Sequence, residues 1–96
     1  MSIFYVYIIT NQNHTVLYTG FSDDLERRMF EHKNKVYPGF TKKYNCNKLL
    51  YYEVINDKEE ALHREKQIKR YKKDWKHNLI NTMNPAWRDL YEDFLI

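Results

Sequence analysis

The chain has 96 residues and a mass of 11.9 kDa, which excludes a second domain and predicts one small domain over residues 1–96. Aromatic side chains make up 17% of the residues, and nine of them are tyrosines, whereas there are only two glycines and two prolines. We therefore expect a core filled largely by bulky rings, with little of the chain in flexible linkers.

The cysteine content and the first apolar run exclude two protein classes. Cys46 is the single cysteine, so it forms no intrachain disulfide and belongs to no cysteine-rich metal-binding spacing. The apolar run at residues 3–9 is too short to cross a bilayer. We therefore expect a cytoplasmic protein without a membrane partner. Its oligomeric state is open, and a monomer is plausible.

The net charge of +3 is concentrated in one part of the chain. Residues 1–41 contain four basic and four acidic side chains, whereas residues 42–77 contain eleven basic and six acidic ones. Such a basic stretch attracts nucleic acids, although a solvated helix face explains many lysine runs equally well. The side chains that we expect to contact nucleic acid are Lys42, Lys43, Lys66, Lys69, Arg70 and Lys73.

Two runs of β-branched and aromatic residues, 4–9 and 16–21, are typical of strands, and turn-forming residues separate them. If the turn centres on residues 12–13, Tyr7 lies opposite Tyr18. The two phenols then share one face of the sheet, which a shift of one residue would prevent.

A helix is predicted at residues 24–34, because Asp23 and Glu26 resemble a capping box. Its inward stripe, read at helical spacing, consists of Leu25, Arg28, Met29 and His32. Arg28 on that stripe needs an anionic partner, from the protein or from a ligand, because burying an unpaired charge is costly.

The middle of the chain follows with a turn at residues 37–39, a polar loop at 40–47 and a third strand at 48–55. Aromatic side chains in this region could stack on unpaired bases or anchor the loop; they are Tyr37, Phe40 and Tyr44.

A second helix is predicted after Asp57, which caps it, with an apolar stripe that contains Glu65. A carboxylate there either pairs with a cation or faces a cleft, and pairing with Lys69 on a wet face is the alternative. The helical pattern breaks near residues 72–74 and resumes. Finally, Asn84 followed by proline is typical of a cap that begins a last helix.

These elements predict an α/β (α+β) domain with a small three-stranded sheet, mixed or antiparallel, flanked by helices. Taken in order, the chemistry-bearing residues are Tyr5-Val6-Tyr7, Tyr18-Thr19-Gly20, Arg28, His32, Glu65 and Asn84. This series resembles the GIY-YIG nuclease superfamily, most closely its small stand-alone bacterial branch. The first motif lacks a leading glycine and the second has a central threonine, but both keep their tyrosines.

The resemblance implies metal-dependent hydrolysis of phosphodiester bonds in DNA or structured nucleic acid. It implies one Mg²⁺ or Mn²⁺ ion held by Glu65, a ligand type that suits Mg²⁺. Tyr7 or Tyr18 would orient or deprotonate the attacking water, and Arg28 would clamp the phosphate. Because a free phenol has a pKa of about 10, general-base action requires nearby positive charge.

His32 would hydrogen-bond a tyrosine or the phosphate, and Asn84 either contacts a catalytic group or only caps a helix. A nucleic-acid-binding module with the same fold and weak or no catalysis is the alternative function. An interaction domain that uses the Trp75 and Trp87 region is less well supported by the sequence.

Overall fold

A computed structural model describes residues 2–36 and 39–94 of the chain. Three antiparallel strands form one sheet in the order β2-β1-β3: β1 is Phe4–Thr10, β2 is Leu17–Ser22 and β3 is Lys48–Ile55. Four α-helices and one 3₁₀ helix surround it: α1 is Leu25–Lys33, α2 is Phe40–Lys43, α3 is Lys58–Lys69, α4 is Lys73–Met83, and the 3₁₀ helix is Leu90–Phe94. The predicted α+β class is confirmed, and the sheet is antiparallel.

The central strand β1 is covered on both faces because its side chains alternate between two apolar clusters. Val6 and Ile8 pack with residues of α3 and α4 on one face. Tyr7 and Ile9 pack with residues of α1 and of the 3₁₀ helix on the other face. Tyr7 therefore lies under α1, the helix that carries the predicted site residues Arg28 and His32.

The register of the hairpin differs from the predicted one by two residues. Tyr7 pairs with Gly20, and Tyr18 pairs with Ile9. The loop is wider than expected because the side-chain oxygen of Asn11 accepts hydrogen bonds from the backbone N–H groups of residues 15 and 16, at 2.8 and 3.2 Å. A shift of two keeps the side-chain parity, so both phenols lie on the same face, as predicted.

The pairing of β1 with β3 contains a bulge, because Ile8 pairs with Tyr51 whereas Ile9 pairs with Leu49. Leu50 is the extra residue. As a result, Leu50 and Tyr51 both belong to the cluster under α3 and α4, while Leu49 belongs to the cluster under α1.

Helix α1 begins one residue later than the capping box suggested. The side chain of Asp24, not of Asp23, caps the helix by accepting a hydrogen bond from the N–H of Arg27 at 3.1 Å. The predicted inward stripe is confirmed for its three buried members, Leu25, Met29 and His32. Arg28 lies at the edge of this stripe, with 24% of its side chain exposed.

The predicted polar loop at residues 40–47 contains the short helix α2, which periodicity cannot reveal in a run of four residues. Gly39 precedes this helix with a φ of 101°, a conformation that favours glycine. Thr41 is buried, whereas Phe40 and Tyr44 are exposed. The predicted turn residues Tyr37 and Pro38 lie outside the described residues.

The capping of α3 by Asp57 is confirmed, since its carboxylate accepts a hydrogen bond from the N–H of Glu60 at 2.9 Å. The predicted break is also present, between α3 and α4. In the part of the chain that the structure describes, no helix is long and apolar enough to span a bilayer.

The prediction that Asn84 begins a last helix is wrong. Asn84 ends α4, and the next helical turn starts only at Leu90. The side chain of Asn84 closes the intervening turn, because its Oδ1 accepts from the N–H of Arg88 at 3.1 Å and its Nδ2 donates to the Arg88 carbonyl at 2.8 Å. Trp87 adopts a φ of 54° within this turn, which interrupts helical geometry.

Candidate active site

The hydroxyl of Tyr7 and the imidazole of His32 form the buried centre of the site. The Tyr7 oxygen lies 3.1 Å from Nε2 of His32, and these residues are 1% and 7% exposed. On the other side of the ring, Nδ1 of His32 lies 3.2 Å from the hydroxyl of Thr41. The imidazole is therefore held between two hydroxyl groups, each able to donate or accept a hydrogen bond.

The charge state of His32 follows from its surroundings. Burial, together with the nearby Arg28 guanidinium, lowers the pKa of His32 to about 4. At neutral pH the imidazole is therefore uncharged and carries one N–H and one acceptor nitrogen. It can exchange a hydrogen bond with Tyr7 in either direction, depending on the tautomer.

Tyr18 lies between three helices. Its ring meets that of His32 edge-on with a centroid distance of 6.3 Å, and it stacks on Phe40 of α2 at 5.8 Å with an interplanar angle of 28°. The ammonium of Lys69, on α3, lies 6.0 Å from the centre of the same ring. Tyr18 therefore connects the Tyr7–His32 pair with both predicted basic regions.

Arg28 is held at the rim of this site by α1. Its Nε lies 3.6 Å from the carboxylate of Glu31, one turn further along the helix, and both side chains are about a quarter exposed. The guanidinium therefore keeps access to solvent while it acts electrostatically on His32. A partly exposed guanidinium with this field suits an anionic ligand such as phosphate.

Glu65 lies on α3 with only 16% of its side chain exposed, and its carboxylate pairs with Lys69 at 3.2 Å. The sequence left two alternatives for Glu65, an inward-facing carboxylate and an ion pair with Lys69. Each holds in part, because the carboxylate is largely buried and also pairs with the lysine. The rotation of α3 is fixed by Arg64, whose guanidinium bonds the carboxylate of Glu53 on β3 at 2.8 Å. Since Arg64 precedes Glu65, this pair also fixes the direction of Glu65.

The donor set at Glu65 fits some metal ions and not others. Among residues 2–36 and 39–94 there is no group of three or more His, Cys, Asp or Glu side chains able to hold a metal together. Such a group is what a zinc site requires. One carboxylate completed by water and phosphate oxygens is instead the coordination typical of Mg²⁺.

The six basic side chains predicted to contact nucleic acid are all exposed. Lys42 and Lys43 line an open cleft together with Phe40 and Tyr44 of the α2 region. The ammonium group of Lys69 lies over the ring of Tyr18. Lys66 of α3 and Arg70, which caps the end of α3, line a second cleft with Tyr71, and Lys73 begins α4.

Asn84 occupies a different place in the fold from the other predicted site residues. It is 2% exposed, and its side chain bonds Arg88 and the carbonyl of Leu50 on β3, the latter at 3.1 Å. The bonds to Arg88 close the turn after α4, and the bond to Leu50 ties that turn to the bulged strand.

Sequence reasoning missed Thr41 and the contact of Phe40 with Tyr18. A threonine inside a polar run gives no signal that it is buried against a histidine.

Comparison with known proteins identifies the family. The sequence profile of the GIY-YIG catalytic domain matches residues 3–78. A UPF0213 protein of Staphylococcus saprophyticus is 36% identical over 77 residues, covering 80% of this chain and 93% of its own. A UPF0213 protein of Syntrophus aciditrophicus is 37% identical over 86 residues, covering 88% and 97%.

The fold has a solved counterpart. The solution NMR structure of a UPF0213 protein of Bacillus halodurans matches with a TM-score of 0.58 and 24% identity, covering 91% of this chain and 92% of that one. Since the catalytic-domain profile spans most of the sequence and the fold agrees, the chain belongs to the GIY-YIG family.

Proposed function

We propose that this protein is a divalent-metal-dependent nuclease that hydrolyses phosphodiester bonds of DNA or structured nucleic acid. The observation that carries the proposal is the convergence on Tyr18 of three elements. His32 approaches it from α1, Phe40 from α2 and the Lys69–Glu65 pair from α3. The partly exposed phenol of Tyr18 thus has an imidazole and a cation beside it, and the cation brings a carboxylate.

The exposure of the two phenols supports different roles for them. Tyr7 is almost fully buried with its hydroxyl on His32, so it holds the imidazole in position. Tyr18 is partly exposed and is therefore the phenol that can orient the attacking water. His32, uncharged at pH 7, exchanges hydrogen bonds with its two hydroxyl neighbours and thereby orients the Tyr7 hydroxyl.

The charged side chains serve the phosphate. Arg28 binds the phosphate oxygens with its forked guanidinium and stabilises the charge that develops on them. Glu65 would hold Mg²⁺ or Mn²⁺, which supplies charge neutralisation at the phosphate and a more acidic water. Lys69 pairs with Glu65, and it can contact the substrate when the Glu65 carboxylate binds the metal ion.

The proposal is tested by cleavage of single-stranded, duplex and branched DNA with Mg²⁺ or Mn²⁺. We expect Glu65→Ala and Arg28→Ala each to lower the cleavage rate by about 100-fold or more, because each removes a group that stabilises transition-state charge. Circular dichroism should show an unchanged fold, since both side chains are partly exposed.

Two matched variants serve as controls. Arg27→Ala removes the exposed neighbour of Arg28, and Glu59→Ala removes an exposed acidic residue of the same helix as Glu65. Both should cleave like the wild type. Equal cleavage by the wild type, Glu65→Ala and Arg28→Ala would contradict the proposal.

A binding module without catalysis is the second candidate, and the Lys69–Glu65 ion pair favours it because a paired carboxylate is less available to a metal. That function predicts salt-sensitive binding with no metal-dependent product from any of the three substrates.

A further inference from the structure

The α2 region presents two large rings to solvent. Phe40 is 45% exposed and Tyr44 is 41% exposed, and their ring centroids lie 4.7 Å apart. Phe40 also stacks on Tyr18. Exposed rings that form one contiguous patch are uncommon without a binding role, because each leaves apolar area in water.

The charges around these rings select a polyanion. Lys42 and Lys43 flank the patch on the same four-residue helix, and the Lys43 ammonium lies 5.5 Å from the centre of the Tyr44 ring. The cleft that these side chains line has a volume of about 830 Å³. Proteins that bind single-stranded nucleic acids combine aromatic rings, which stack on the bases, with lysines, which contact the phosphates.

The two exposed rings favour an unpaired base over a base within a duplex. In a duplex, each base is covered by its neighbours in the stack, so an aromatic side chain reaches a base face only where the base is unpaired or turned out. Phe40 stacks on Tyr18, so a nucleotide stacked on the Phe40 and Tyr44 rings is close to the proposed site of hydrolysis.

We propose that Phe40 and Tyr44 form a stacking site for an unpaired nucleobase of the strand that is cut, with Lys42 and Lys43 holding its phosphates. This inference deepens the proposed function and rests on it for the statement that the bound strand is the one cleaved. Binding itself needs no metal and no chemistry at Tyr18, so it is measurable separately.

The test measures binding in the presence of EDTA, by fluorescence anisotropy. The probes are a labelled single-stranded oligodeoxynucleotide about 12 nucleotides long and a blunt duplex of the same sequence. We expect Phe40→Ala and Tyr44→Ala to weaken single-strand binding by about 5- to 150-fold, the range for loss of one base–aromatic stack, and to leave duplex binding unchanged. Tyr44→Phe should restore wild-type binding because it keeps the ring.

A second readout locates the base. A 2-aminopurine in the single strand should lose fluorescence on binding the wild type and lose less on binding Tyr44→Ala. Trp75→Ala is the matched control, since Trp75 is a ring that is 62% exposed on α4. It should change neither signal. Because Tyr44 makes no ring contact with Tyr18 among those described, its variant also keeps the catalytic phenol undisturbed.

Unchanged single-strand binding by Tyr44→Ala, or an equal loss on both probes, would overturn the stacking site. Such a result would leave cleavage by the wild type untouched. Conversely, selective loss of single-strand binding in a protein that cuts no substrate would support the stacking site and refute the nuclease.

Discussion

The ring of Tyr7 packs directly on the backbone of Gly20. A Cβ atom at position 20 would overlap with Cζ and the hydroxyl oxygen of Tyr7 and would lie 2.9 Å from Cε2. The glycine of the second motif is therefore required for space, since its cross-strand partner is Tyr7 of the first motif. The two motifs form one unit.

Gly20→Ala should displace the Tyr7 hydroxyl from His32. The added methyl group has no free volume, so we expect a loss of about 1–3 kcal/mol in the free energy of unfolding, as for other overpacked cores. Cleavage should fall as well, because the Tyr7–His32 contact of 3.1 Å would be lost. Urea unfolding and a cleavage assay on the same sample measure the two effects.

Thr19→Val is the control for that variant. Thr19 is buried on the opposite face of the same strand, and its hydroxyl has no hydrogen-bond partner among the described residues. Replacing it with an apolar group of the same shape should leave stability equal or higher. Wild-type stability in Gly20→Ala would show that Tyr7 can move aside without cost.

The pH dependence of stability should reveal His32. Its pKa is about 4 in the folded protein because of burial and Arg28, and about 6.5 when the chain is unfolded. As the pH falls, His32 therefore becomes protonated in the unfolded chain at a higher pH than in the folded protein. Stability is fully present above about pH 6.5 and decreases toward pH 4, by up to about 3 kcal/mol.

Urea unfolding of the wild type and of His32→Gln at pH 7 and pH 5 measures this effect. The glutamine of the variant does not titrate between pH 5 and pH 7, so the free energy of unfolding of the variant should decrease less over this range than that of the wild type. Equal losses in both proteins would show that burial of His32 does not depress its pKa.

Asn84→Ala should act on stability rather than on chemistry. The variant leaves the Leu50 carbonyl and both backbone groups of Arg88 without their side-chain partner. A loss of about 1–3 kcal/mol in the free energy of unfolding is expected. The cleavage rate per folded molecule, measured well below the unfolding temperature, should remain that of the wild type; a large decrease would give Asn84 a direct catalytic role.

Lys42 and Lys43 should set part of the salt dependence of binding. Each phosphate contact that is removed lowers the slope of log affinity against log salt by about 0.9 on duplex DNA and by about 0.7 on a single strand. The double variant Lys42→Ala/Lys43→Ala should therefore show a shallower slope than the wild type. An unchanged slope would place the phosphate backbone elsewhere on the protein.

Local sequence signals predicted most of the elements. Runs of β-branched and aromatic residues bounded by turn formers located the strands, and the Asp57 cap located α3, because these features depend on neighbours in the chain. The shared face of Tyr7 and Tyr18 also followed, since parity survives a register shift of two residues.

The features that sequence reasoning could not supply depend on contacts between distant segments. The burial of Thr41 requires α2 to lie against His32, and the role of Asn84 requires the β3 bulge at Leu50. Neither contact is visible in periodicity or propensity. The hairpin register was wrong for a different, local reason: the side chain of Asn11 organises a loop that is wider than the tight turn predicted from composition.

Helix α2 carries neighbouring side chains that point to opposite sides. The hydroxyl of Thr41 contacts the buried imidazole of His32, whereas the ring of Phe40 stacks on the partly exposed ring of Tyr18. Any movement of this single turn must therefore change both surroundings at once. A ligand that displaced Phe40 from Tyr18 would therefore also disturb the hydrogen bond between Thr41 and His32, so this short helix joins the protein surface to the buried imidazole.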